Sequence, residues 1–107
     1  MDNMEYIKQE TTRLGKLLLA NEEATELALA FAKLIRAEGY GTPTPIGTIE
    51  ALANVYEEIA DLLNALTALE LCLTKRERQL IETIRREKLA RWVTRTRDDT
   101  GPVEPVG

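Results

Sequence analysis

The sequence predicts an all-α protein, and three observations carry that expectation. Ala and Leu supply much of the apolar content, while Glu, Lys and Arg supply most of the charge, a mixture with high helix propensity. Apolar residues recur at spacings of three and four, the period of an amphipathic helix. Apart from Gly15, glycine and proline are confined to one internal stretch, "EGYGTPTPIG", and to the C-terminal tail. A chain of 107 residues fits one domain with a limited core. The expected architecture is therefore a four-helix-type bundle, completed by homo-oligomerisation.

The first helix is expected over roughly residues 3–15, where Met4, Ile7, Thr11, Leu14 and Leu18 form the apolar stripe and Gly15 marks a bend or an end. A second helix should run from Lys16 to Ala37, with Leu17, Leu18, Leu27, Phe31, Leu34 and Ile35 at its apolar positions. "EGYGTPTPIG" cannot continue it and forms the one substantial internal loop. Thr48 is a fair N-cap for a third helix over residues 49–73, whose buried side is lined by Leu52, Val55, Ile59, Leu62, Leu63, Leu66 and Leu69. In "TKRE", Thr74 stands three residues before Glu77, which is a capping box. The fourth helix follows to Arg95, with Leu80, Ile81, Ile84, Lys88 (by its stem), Trp92 and Val93 inward. Residues 1–97 are thus expected to form a single domain and residues 98–107 a disordered tail, being polar and containing Pro and Gly.

A formal charge of −4 disfavours a general nucleic-acid-binding role. The single cysteine, Cys72 in "LELCL", cannot form an intrachain disulfide and reads as a small core residue in a reducing compartment. "MDNMEYIKQE" contains no apolar signal region, and Asp61, Asn64 and Glu70 interrupt the longest apolar run, which argues against a membrane span. A cytoplasmic protein is the expectation. The absence of histidine removes His-based metal sites and His-dependent catalysis.

Two stretches carry more acid than a helix core needs. "NEEATELALAF" sets Glu22, Glu23 and Glu26 beside Leu27 and Leu29, and "VYEEIADLLNAL" sets Glu57, Glu58 and Asp61 beside Ile59 and Leu62. Residues three or four apart share a helix face, so Glu23 pairs with Glu26, Glu58 with Asp61, and Asn64 continues the second stripe. Two such helices side by side would gather four carboxylates, whose mutual repulsion a cation relieves. Oxygen ligands without His or Cys select Mg²⁺ or Mn²⁺. Because Mg²⁺ keeps open positions for phosphate oxygens, the pattern points to phosphate chemistry. The plainer reading, a solvated face, is the usual one for acids at successive turns.

"EEATELALAFAKLIR", a Pro/Gly loop and "EEIADLLNAL" together resemble the MazG-like family of all-α nucleoside triphosphate pyrophosphohydrolases. The family's mark is ExxE on one helix and ExxD on the next, here Glu23-Ala24-Thr25-Glu26 and Glu58-Ile59-Ala60-Asp61. "KLIRAEGYGTPTPI" is similar to the Lys/Arg-ended helix and loop of the small, phage-type members, and "EKLARWVTR" to their closing basic helix. The interval between the motifs is somewhat longer than in compact members. The resemblance spans residues 13–97.

The resemblance implies cleavage of a nucleoside triphosphate between the α and β phosphates, giving a monophosphate and pyrophosphate. Glu23, Glu26, Glu58 and Asp61 would carry Mg²⁺, with Mn²⁺ as a substitute, and would be the catalytic set. Members of such a family commonly build the site within a homodimer or homotetramer. Lys33, two turns beyond Glu26 on the same face, and the nearby Arg36 are candidates for the phosphate tail. Asn64 is a candidate for nucleotide contact or for holding a carboxylate in place, its plainer reading being a polar residue on a helix-pair seam, and Tyr40, in the loop, is a candidate for stacking on the base. The cations of the fourth helix are expected to be solvated or paired with Glu77, Glu82 and Glu87, and Trp92 to be core or interface. Two other classes stand beside this reading. One is a non-catalytic helical interaction module, or a degenerate family member, whose acidic stripe binds a partner. The other is a binuclear iron or manganese bundle, disfavoured because the Glu-x-x-His pattern is missing. Which nucleotide is the substrate is not encoded readably in "YGTPTPIG".

Overall fold

The computed structural model describes residues 2–100, whose regular structure is four helices: α1 (Asn3–Glu10), α2 (Arg13–Ala37), α3 (Thr48–Glu70) and α4 (Lys75–Thr100). No strand occurs among the described residues. No helix among them is long and apolar enough to cross a membrane. The chain falls into two compact units, one ending at Cys72 and holding α1–α3, the other beginning at Leu73 and holding α4.

The first break lies at Thr11 and Thr12 rather than at Gly15. Two successive extended residues end one helix and start the next, and each threonine satisfies an orphan backbone group. Thr11 Oγ1 donates to the Ile7 carbonyl at 2.6 Å, and Thr12 Oγ1 accepts from Gly15 N at 2.9 Å. Gly15 therefore sits in the first turn of α2. The joint is held further by Lys16, which is 1% exposed and donates its ammonium to the Thr11 carbonyl.

The loop after α2 turns through Gly39 (φ 98°) and Gly41 (φ 77°), both in the left-handed region that favours glycine. Gly47, not Thr48, is the N-cap of α3. Thr48 is the first helical residue, and its hydroxyl reaches back 3.2 Å to the Ala37 carbonyl, tying the two ends of the loop together. α3 closes at Glu70, so Cys72 lies past its end and is exposed rather than in the core.

Ala37 meets Thr48 at one end of the α2–α3 pair, and Glu23 meets Glu58 and Asp61 further along, so the two helices run antiparallel. The seam is made of small residues. Ala30, Ala51, Ala65 and Ala68 are all buried, with Val55 the one larger apolar residue among them. Short side chains let two helix backbones approach closely, and the long side chains then fall on the flanks. This corrects the expected core. Leu17, Leu18, Phe31, Ile35, Ile59, Leu63 and Leu66 are exposed, because a helix pair buries one narrow stripe of each helix. Leu27, Leu34, Leu52, Leu62 and Leu69 are half-buried.

In the second unit the capping box forms as expected. Thr74 N donates to Glu77 Oε1 at 2.9 Å, and Glu77 N donates to Thr74 Oγ1 at 3.1 Å. α4 continues to Thr100, past the expected stop at Arg95, so residues 98–100 are helical rather than part of a disordered tail. The expected disorder of 101–107 lies outside the described residues. Taken by itself α4 is a single helix, and its stripe of Leu80, Ile81, Ile84, Trp92 and Val93 is exposed rather than inward. Arg85 and Glu82 form an ion pair at 2.9 Å on its surface, of the solvated kind that contributes little to stability.

Candidate metal centre

The antiparallel register of α2 and α3 brings three carboxylates to one point. Glu23, Glu58 and Asp61 each offer an oxygen, and these atoms all lie within 4.8 Å of one another. Glu58 and Asp61 are separated by three residues on α3, so both reach the same side of that helix. Glu23 reaches them from α2. Glu23 and Glu58 are half-buried, whereas Asp61 is exposed despite its apolar neighbours in sequence. Those neighbours, Ile59 and Leu63, are themselves on the open flank.

The electrostatics show the crowding. Partial burial pushes the Glu23 carboxyl above the usual range, and the charges of Asp61, Glu58, Glu22 and Glu26 push it further. Glu58 is raised in the same way, first by partial burial and then by Asp61, Glu26 and Glu57, while Lys33 pulls it back. Glu26 is thus close enough to act on both, although it is not one of the three carboxylates that share the common point. Among the described residues, Lys33 is the one cation whose charge acts measurably on Glu58.

Beside this group lies a cleft of about 470 Å³. Its acidic end is formed by Glu23 and Asp61, with Asn64 one turn further along α3. Its other walls are largely apolar: Leu19 from α2, Ala65 and Ala68 from α3, and Met4 and Ile7 from α1, with Asn3 of α1 beside them. A volume of this size is within the range of small-molecule sites.

Of the residues singled out in the sequence, Glu23, Glu58 and Asp61 converge, Asn64 lines the cleft, and Glu26 and Lys33 flank the cluster. Arg36 and Tyr40 do not line the cleft. Arg36 packs under the turn after α2, where its Nε is buried without a hydrogen-bond partner, and Tyr40 is 68% exposed in the loop. The contribution of α1 was missed. Met4 and Ile7, three apart on one face, read as core in the sequence, and Asn3 carries no signal there.

In comparisons with known proteins, no family model matches the chain, and neither a curated protein nor a solved structure matches it.

Proposed function

We propose that the chain is a Mg²⁺-dependent nucleoside triphosphate pyrophosphohydrolase of the MazG-like kind, cleaving the α–β phosphate bond. The observation that carries the reading is the convergence of Glu23, Glu58 and Asp61 within 4.8 Å, two of them lining a cleft of about 470 Å³. The donor set fits a hard divalent ion. It is all oxygen, no histidine exists in the chain, and of the two causes that raise Glu23 and Glu58, partial burial and then the neighbouring charges, the second is what a cation would relieve. An ion held there by Glu23, Glu58 and Asp61 would supply the charge that neutralises the phosphates and acidifies the attacking water.

The chain's own groups do the remaining work. Glu26 adds negative field that strengthens the hold of the three ligands on a cation. Lys33, whose charge acts on Glu58, offers an ammonium for a phosphate oxygen. Asn64 supplies an amide, donor and acceptor both, where the acidic end of the cleft meets its apolar end.

The same reading includes a homodimer or homotetramer assembled as a helical bundle. Its support is the apolar surface left on α2 and α3. Leu18, Leu29 and Leu63 are each more than half exposed, at 60%, 53% and 59%. Surfaces of this kind mark association sites.

The test is a panel assay. Each ribo- and deoxyribonucleoside triphosphate is incubated with the protein and Mg²⁺, and pyrophosphate and monophosphate are measured. Equimolar release of the two from at least one substrate is expected. A helical interaction module, the other reading of the acidic stripe, releases neither.

A further inference from the structure

α1 is a helix of eight residues, set off from α2 by a two-residue break and placed against α3. It contributes little to the alanine seam, since none of its described residues is buried. Yet its joint is built firmly. Asp2 caps its start at 2.8 Å from Glu5 N, Thr11 and Thr12 close and reopen the helix, and the buried Lys16 ammonium binds the Thr11 carbonyl. A short helix so fixed, with one face over a cleft, has a placement to hold.

That face carries Asn3, Met4 and Ile7, and it meets Asn64 and Ala65 of α3 across the cleft. The cleft is divided chemically. One end has carboxylates, suited to a cation and its phosphates. The other has methyl and methylene groups walled by two amides. A nucleoside triphosphate has the same division, with a charged tail and a flat, weakly polar base whose edge carries donors and acceptors. Ala65 and Ala68, buried in the seam, line that end with methyl groups alone. An amide can both donate and accept, so a pair of them can read a base edge.

We infer that the α1 face bearing Asn3, Met4 and Ile7 is the base-binding wall of this site, with Asn3 and Asn64 as the residues that discriminate among bases. The inference rests on the pyrophosphohydrolase reading and adds to it the element that sets substrate choice. The apolar side chains hold the base by excluding water, and the amides penalise a base that leaves them unpaired. The carboxylates of α2 and α3 are indifferent to the base.

The experiment uses the full chain with Mg²⁺ and the nucleotide panel, measuring KM and kcat separately. Ile7→Ala and Met4→Ala are expected to raise KM for the preferred nucleotide by about tenfold with little change in kcat. Asn3→Ala should narrow the ratio of kcat/KM between the best and worst bases. Gln9→Ala, an exposed substitution on α1 away from the cleft, should leave all constants unchanged. Binding of Mn²⁺ alone, read by electron paramagnetic resonance, should be the same in every α1 variant, and circular dichroism should show the fold retained. Wild-type protein that turns over nucleotides while the α1 variants keep its KM and base preference would overturn this inference and leave the pyrophosphohydrolase reading standing. Wild-type protein that hydrolyses no triphosphate would remove both.

Discussion

The acids of Glu23-Ala24-Thr25-Glu26 on α2 and of Glu58-Ile59-Ala60-Asp61 on α3 have the same spacing, yet they meet the cleft differently. Both acids of the α3 motif share the common point, while α2 sends only Glu23 there. At 3.6 residues per turn, positions three apart differ by about 60° around the axis. A pair can therefore straddle a contact line with both members on it or with one member turned away. On α3, Asp61 has the shorter reach and still arrives. On α2, Glu26 is longer and remains at the flank, acting on Glu23 and Glu58 through its field. Spacing sets which residues share a face; the helix–helix seam sets which of those faces the partner.

Four changes would break or sharpen that contrast. The largest effect is expected at the α3 motif. Glu58→Gln and Asp61→Asn should each lower kcat by about a hundredfold or more and abolish Mn²⁺ binding, with the helical circular dichroism unchanged. Glu26→Gln should cost less, about tenfold, since it removes field rather than a ligand. Equal losses at Glu26 and Glu58 would end the distinction between the two motifs.

The third change tests the seam itself. Ala51→Leu puts a long side chain into a buried helix contact and should destabilise the fold by about 1–3 kcal/mol in urea titration. Mn²⁺ affinity should fall with it, because the carboxylates come from both sides of that contact. Undiminished Mn²⁺ binding in the folded variant would show that the seam does not set their separation.

The smallest effect is in pH. Glu23 and Glu58 have raised pKa values in the fold, so over the range between their unfolded and folded values the native state binds more protons. Stability contributed by protonating them is present at low pH and is lost as pH rises through the folded values. Without divalent ions, the melting temperature should therefore rise modestly as pH is lowered from neutral toward that range. Added Mg²⁺ should reverse the trend, since ion and proton compete for the same oxygens. A melting temperature insensitive to pH and to Mg²⁺ would remove the argument from crowding.

Much of the helical plan was legible because it depends on local chemistry. The loop over residues 38–47 and the capping box of Thr74 with Glu77 are written in residue types whose backbone preferences act within four positions. The joint between α1 and α2 was misplaced for a related reason. Gly15 weakens a helix by propensity, but Thr12 offers a hydroxyl that caps the next one, and a satisfied amide outweighs a propensity difference of about 1 kcal/mol. The core was read less well. Periodicity marks an apolar stripe without stating its width, and the alanine seam buries far less of it than Leu18, Phe31 or Leu66 led one to expect.

Helix content, loop positions and the candidate acids were decided by the sequence itself, because propensity, capping and the three-and-four spacing act along the chain. Three matters waited for the tertiary structure: the choice of Glu23 over Glu26 as partner to Glu58 and Asp61, the alanine contact that holds α2 against α3, and the placing of α1 over the cleft. Each depends on the register between segments distant in sequence, and side-chain volume at the contact, which no single helix specifies, determines that register.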